Sequence, residues 1–334
     1  MKEITTIGVD LAKNVFQVHA IDAAGAALVR RKLRRSQMLT FFSGLPRCLV
    51  GMEACAGAHF WARELTALGH EVRLMPAAYV KPYVKRGKTD QADAEAICEA
   101  VMRPTMRFVP VKSAERQASL LDHKTREFLV RQQTQTVNAI RAHLAEFGIV
   151  VSKGIHNMER LLAAAEAAPE QARPALELLA GQFRDTRTRI SEVTARIEAA
   201  QAEDPLARRL ATTPGVGALT AGALAATTPE VDVFKTGRDY AAWLGLTPQA
   251  HSSGGKERLG GISKAGNRYL RRLLYLGAMA QISARRGKKP GADWLWRMLE
   301  RKPVKLVAIA LANRMARVVW ALIKTGESYR AMPA

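Results

Sequence analysis

The chain has 334 residues, 48% of them hydrophobic, and carries 51 Lys and Arg against 30 Asp and Glu, a formal charge of +21. That length allows two domains, each with a core of its own. The charge points to a polyanionic partner, nucleic acid first, and residues 205–334 hold 22 of the bases against only 7 of the acids. A membrane surface fits less well, because no lipidation motif or isolated basic amphipathic segment is present. Cys48, Cys55 and Cys98 form no Cys-x-x-Cys pair, and their odd number argues against a disulfide framework or zinc site. No basic-then-apolar signal opens the sequence. The apolar stretch from Val304 to Ile323 is interrupted by Lys305, Asn313, Arg314 and Arg317, which argues against a membrane span. A soluble intracellular protein is expected.

Residues 1–104 read as α/β. Apolar, β-rich runs at 4–9, 15–21, 27–33, 48–52 and 71–75 alternate with helical stretches at 36–44 and 59–68. The first three runs are joined by short polar or Gly-containing links and predict an antiparallel meander. The strand–helix alternation that follows predicts parallel additions to the same sheet.

Four carboxylates stand out in this region. Asp10 ends the run that begins at Ile4, and Glu53 ends the run Cys48–Met52. Asp90 and Asp93 open a helical stretch to Met102, with Thr89 placed to cap it. Three residues apart on a helix, the two aspartates share a face. Acids at two strand ends and on a helix face suit a two-metal phosphoryl-transfer site, in which carboxylates hold Mg²⁺ ions about 4 Å apart. The plainer reading is that turns are polar and helix dipoles favour Asp in the first turn. Lys81, Lys85, Arg86 and Lys88 lie just upstream, so bases suited to phosphate adjoin acids suited to metal.

From 113 to 147 the chain has neither Pro nor Gly before Gly148, and Val130, Val137 and Leu144 recur every seven residues with Ile140 and Phe147 beside them. A second stretch at 171–202 sets Leu179, Phe183, Ile190, Val193 and Ile197 on one face. Two helices of about 45–50 Å are predicted, paired either as a hairpin within the chain or as a dimerising coiled coil.

Residues 206–325 read as mainly helical with two inserts. The first, Thr212–Gly217, is similar to a helix-hairpin-helix turn, in which the backbone around Gly215 and Gly217 would offer N–H groups to a phosphate. The second, Thr247–Gly266, is rich in Gly and Ser and dotted with Lys256, Arg258 and Lys264. Arg268, Arg271 and Arg272 follow on one helical face. Such a face is commonly just solvated, but beside this loop and under this charge it reads as phosphate-binding.

The motifs Val9-Asp10-Leu-Ala-Lys13, Met52-Glu53-Ala54, Lys88-Thr89-Asp90-Gln-Ala-Asp93-Ala94, Pro214-Gly-Val-Gly217, Gly245-Leu-Thr-Pro248, Ser253-Gly254 and Ser263-Lys264-x-Gly266 occur in one order along nearly the whole chain. In that order they resemble the DEDD-type transposases of the insertion-sequence one-ten family, including its bridge-RNA-guided recombinases. The resemblance implies a RuvC-like, RNase H-type α/β domain at 1–112, a long helical linker at 113–204, and a mainly α transposase domain at 205–334 with a catalytic serine. It implies that Asp10, Glu53, Asp90 and Asp93 bind Mg²⁺, two ions per site, and that Ser253, with Ser252 as its neighbour in the motif, is the nucleophile. Lys88, Gly215, Gly217, Lys264, Arg268, Arg271 and Arg272 are the expected nucleic-acid contacts.

The expected partners are element-end and target DNA, a structured guide RNA, and further copies of the chain in a dimer or tetramer, in a prokaryotic cytoplasm at the nucleoid and without a membrane. The competing expectation is a hydrolytic RuvC-like nuclease of the junction-resolvase kind. An actin-like ATPase fits poorly, since Leu11-Ala-Lys13 follows Asp10 where a phosphate cradle needs small or polar residues. A binding-only relic is disfavoured by the presence of all four acids and the serine.

Overall fold

The computed structural model describes residues 3–85, 87, 89–154, 157–252, 254–256, 258–287, 291 and 293–330. Lys88 and Ser253, both expected site residues, lie outside them, as does Arg86. The chain divides into two compact units, Met1–Gln117 and Ala118–Ala334.

The first unit is built on a five-stranded mixed sheet. Its strands are β1 (Thr6–Asp10), β2 (Val15–Ile21), β3 (Ala27–Arg34), β4 (Leu49–Glu53) and β5 (Glu71–Met75), in spatial order β3-β2-β1-β4-β5. The first three pair antiparallel, and β4 and β5 join parallel to β1. This is the meander with parallel additions that the sequence predicts. The helices of the unit are α1 (Met38–Ser43), α2 (Ala58–Ala67), α3 (Ala77–Val80) and α4 (Asp90–Val101).

Strand alternation sorts the two faces of the sheet. Ile7, Val9, Phe16, Val18, Leu33, Val50 and Met52 form one face and bury themselves with Phe42, Trp61 and Leu65 of α1 and α2. Thr6, Gly8 and Asp10 lie on the other, with Gly51 and Glu53 beside them in β4. That face is covered by α4, and glycine is required there. A Cβ on Gly8 would stand 2.2 Å from the Ala94 carbonyl oxygen and 2.4 Å from the Cys98 nitrogen, and one on Gly51 would stand 2.7 Å from Val101 Cβ. The helix backbone therefore rests directly on β1, and the Val101 side chain rests on β4.

The second unit is helical apart from one small ribbon. The long helices α5 (Ala114–Ala145) and α7 (Arg173–Glu203), with the short α6 (Met158–Ala164) after the first, bear the predicted apolar faces. Leu129 packs with Val193 and Ile197, while Val137, Ile140 and Leu144 pack with Leu176 and Phe183. Arg126 Nε donates to Thr194 Oγ1 at 2.8 Å, and Arg196 pairs with Asp122 at 2.7 Å. These pairs run in opposite chain directions, so the two helices form an antiparallel hairpin within one chain. Phe147, expected on the apolar face, is exposed, because α5 has already ended at Ala145.

The remaining helices are α8 (Pro205–Ala211), α9 (Ala218–Thr227), α10 (Gly237–Trp243), α11 (Arg268–Ser283), α12 (Trp294–Arg301) and α13 (Val304–Thr325). α13 is long and apolar enough to cross a membrane, yet Val307, Leu311, Met315, Val319 and Leu322 are buried in the core it shares with α8 to α11. The Gly/Ser insert, which the sequence predicts as irregular, contains a ribbon: β6 (Pro248–Ala250) pairs antiparallel with β7 (Leu259–Ile262).

Candidate functional site

Parallel pairing of β1 with β4 brings two strand ends together. Their register aligns Gly8 with Gly51 and Val9 with Met52, which sets Asp10 and Glu53 side by side at the C-terminal edge of the α4 face. Both side chains are half-buried and both make polar contacts. Their charges are felt at the Cys55 thiol, which desolvation pushes up first and Glu53 and Asp10 push up further.

The third carrier is α4. Thr89 caps it, its hydroxyl accepting from the Ala92 N–H at 3.2 Å, and Asp90 and Asp93 occupy the first turn. Ala94 lies over Gly8, while one turn later the Cys98 thiol is 3.8 Å from the Thr6 carbonyl oxygen. The helix thus runs back along β1, and its acidic first turn lies toward Asp10. All four expected acids belong to one end of one face of the sheet. Among the described residues no three His, Cys, Asp or Glu side chains close to metal-holding range. The donors are nevertheless all carboxylates, the hard oxygen ligands that Mg²⁺ takes.

Two residues outside the sequence motifs share this face. Gln17 is the register partner of Asp10 on β2, and His19 is the partner of Gly8. Both are buried, and Gln17 Oε1 and His19 Nδ1 have no hydrogen-bond partner among the described residues. Burial lowers the His19 pKa, with Arg30 and Lys85 adding to that and Glu95 opposing it. The available signal was the alternation of Gln17 and His19 with Phe16, Val18 and Ala20 in a strand otherwise made for burial.

In the second unit the expected phosphate contacts separate by job. Arg268 and Arg272 are exposed. Arg271 is held inward, its Nη1 donating to the Leu244 carbonyl at 2.9 Å and the Ala265 carbonyl at 2.8 Å. It fastens the end of α10 to the segment before α11, and burial followed by the charge of Arg268 lowers its pKa. Lys264 is exposed, at the only positive φ of a non-glycine residue among the described residues, +55°. Its neighbours hold it there: Lys264 N–H donates to Gly245 O at 3.2 Å and Ser263 N–H to Thr247 O at 2.8 Å. The turn at 212–217 is clamped to α11, where Gln281 Nε2 donates to Pro214 O at 2.9 Å and a Cβ on Gly277 would lie 1.9 Å from Gly215 O. Gly215 is thus packed inward, while Gly217, the residue that starts α9, is exposed.

This chain is similar to known proteins along its whole length. Residues 207–291 match the family described as Transposase IS116/IS110/IS902 family, and residues 7–149 match the DEDD transposase family of IS110 type. A probable family 20 transposase of Pseudomonas aeruginosa is 46% identical over 98% of this chain and 99% of its own length. The transposase of insertion sequence element IS1328 of Yersinia enterocolitica is 39% identical over 98% and 99%. That of element IS1111A of Coxiella burnetii is 37% identical over 99% and 92%. Fold and matches together define an insertion-sequence transposase, an enzyme class that cuts DNA. The chain belongs to the IS116/IS110/IS902 transposase family, and its first unit carries the DEDD domain of that family.

Proposed function

We propose that this transposase cuts and rejoins DNA with Asp10, Glu53, Asp90 and Asp93 as a Mg²⁺-binding tetrad and Ser253 as the nucleophile. One observation carries the reading: Asp10, Glu53 and the first turn of α4 share one end of one sheet face. The strand order, with a three-stranded meander extended by parallel strands, supports a RuvC-like, RNase H-type domain at 1–112, followed by a helical linker at 113–204 and a transposase domain at 205–334. Bound at these carboxylates, Mg²⁺ supplies Lewis acidity to the phosphoryl oxygens and to the leaving oxygen.

The residues of the chain do the rest. The four acids hold charge that repels an approaching phosphate until a cation compensates it. Ser253 contributes the hydroxyl that attacks phosphorus: its Oγ–P bond forms as the P–O bond to the leaving strand breaks, the hydroxyl gives up its proton, the departing strand oxygen takes one up as a hydroxyl, and the bond energy is retained in a phosphoserine diester. Ser253 lies 160 residues beyond Asp93, so it is delivered by folding or by a second subunit of a dimer or tetramer. Exposed Arg268, Arg272 and Lys264 hold phosphates, as do Lys88 and the exposed Gly217 end of the 212–217 turn, whereas Gly215 shapes that turn from inside. A structured RNA pairing with donor and target DNA selects the sequence, leaving backbone and shape to the protein.

The deciding experiment incubates purified protein with Mg²⁺, the RNA flanking its element and labelled element-end DNA, then denatures it. A denaturant-resistant protein–DNA adduct mapping to the Ser253 peptide is expected. Ser253→Ala should form none and Ser252→Ala should retain it. Unattached DNA ends made equally well by Ser253→Ala would identify water as the nucleophile and the chain as a hydrolytic nuclease.

A further inference from the structure

The strongest unassigned feature is at the other edge of the sheet. Between positions 30 and 35 five residues are cationic, Arg30, Arg31, Lys32, Arg34 and Arg35. All five are exposed, and none forms an ion pair among the described residues. Exposed bases on an edge strand guard against sheet-to-sheet association, and that role needs only scattered charge. Here the charge is directed. Arg30 pairs with His19, Lys32 with Gln17 and Arg34 with Val15, so these three stand on the face that carries Asp10, and Lys32, Gln17 and Asp10 form one cross-strand row.

A cavity opens where β3 ends, walled on one side by α2. At the C-terminal end of β3, Asn14, Val15, Arg34, Arg35, Phe60 and Trp61 line an open hollow of about 660 Å³. Phe60 is 41% exposed and meets Trp61 edge to face at 5.1 Å between ring centroids. The Arg35 guanidinium lies over the Trp61 ring at 5.1 Å. β1 and β4 end where β2 begins and β3 ends, so this hollow and the carboxylates occupy the same end of the sheet. Two strand spacings across and two residues along separate Arg34 from Asp10, about 12 Å between Cα atoms.

We infer that this hollow is a binding site for an unpaired nucleotide, with the adjoining phosphates of its strand on Arg34 and Arg35. Aromatic rings and guanidinium planes are stacking surfaces for bases of any sequence, and cations track the backbone that joins them. A duplex has no unstacked base to offer, so the site selects single strands. It rests on the reading of the chain as a nucleic-acid enzyme, and neither the metal nor the serine chemistry enters into it.

The test measures binding of short labelled oligo-dT, oligo-U and duplex DNA to the full chain in EDTA, so that the fate of the carboxylate reading leaves it untouched. Phe60→Ala should weaken single-strand binding about five-fold or more, with no change in salt slope and none in duplex binding. Phe60→Leu keeps an apolar side chain but no ring, and should lose the same affinity while melting as the wild type does. Replacing Arg34 and Arg35 by Ala should flatten log K against log salt by about 1.4 for single strands, whereas Arg47→Ala, another exposed arginine of this unit, should cost less. Tighter binding of oligo-U assigns the site to RNA, and tighter or equal binding of oligo-dT to a displaced DNA strand. Wild-type single-strand affinity in both Phe60 variants, or an equal loss for duplex, would overturn the inference.

Discussion

Gly8→Ala tests the mounting of α4 on the sheet and, through it, the site. The added Cβ would meet the Ala94 oxygen at 2.2 Å and the Cys98 nitrogen at 2.4 Å, whereas ordinary contact begins at 3.4 Å. Both obstacles are helix backbone, so no side chain can turn aside to make room. The helix must lift by about 1 Å, breaking close packing over β1 and β4, and such overpacking costs about 1–3 kcal/mol. The same movement carries Asp90 and Asp93 away from Asp10 and Glu53, and a misplacement of about 1 Å at a reacting centre can cost on the order of 100-fold in rate. Denaturant titration of the purified variant reads the first quantity, and Mg²⁺-dependent cleavage of element-end DNA under native conditions reads the second. Gly51→Ala meets Val101 Cβ at 2.7 Å, an atom equally fixed to the helix but less deeply overlapped, and should be milder on both counts. Wild-type stability in Gly8→Ala would refute the contact, and lost stability with wild-type cleavage would refute the link from α4 to the chemistry.

Three further outcomes follow from the same geometry. Asp10→Asn and Asp90→Asn should each abolish cleavage while filter binding of DNA persists, and wild-type rates in either would remove that acid from the tetrad. Arg268→Ala and Arg272→Ala should each flatten the salt dependence of duplex binding by about 0.9. Arg271→Ala should instead lower stability by roughly 2 kcal/mol as two carbonyls lose a charged donor, and a salt-slope change without destabilisation would reverse that division. His123 is buried on α5, its Nδ1 3.2 Å from the Tyr269 hydroxyl, and burial lowers its pKa to about 4. The unfolded chain, with an ordinary value near 6.5, binds the proton first, so stability is complete above that pH and is lost as pH falls toward 4, by up to roughly 3 kcal/mol. Urea titrations at several pH values should show this slope in the wild type and a flatter one in His123→Gln; identical slopes would exclude His123 as the cause.

The sheet was legible because its strands are β-branched runs of the right length, and the start of α4 because Thr89 caps a helix whose first turn is acidic. The positions of Asp10 and Glu53 at strand ends followed directly. What the sequence could not carry is tertiary. Arg268, Arg271 and Arg272 look alike in a helical repeat, and only the carbonyls of Leu244 and Ala265 distinguish the middle one. The ribbon of β6 and β7 is not legible because its strands are Pro-Gln-Ala and Leu-Gly-Gly-Ile, rich in residue types that strands avoid, and its pairing follows from how the two ends are held. The basic edge of β3 was masked by the larger charge excess of residues 205–334. Neither Gln17 nor Phe60 belongs to a motif: the first matters through its register with Asp10, the second through the cavity beside it.

The ribbon has a consequence for how the family can vary. A lone pair of strands has marginal stability, and this one is rooted by the bonds of Ser263 to Thr247 and Lys264 to Gly245, and by Asn313 Nδ2 on the Leu246 carbonyl at 3.2 Å. Its outer part is exposed on both strands. Length can therefore be added or removed beyond the root without opening the core. Because a strand repeats every two residues, one such pair added to each arm would preserve which side faces which and extend the ribbon by about 7 Å, while a single residue would reverse its faces. Relatives are thus expected to differ here in even steps, a ruler by which one scaffold can set how far its Ser/Gly segment reaches.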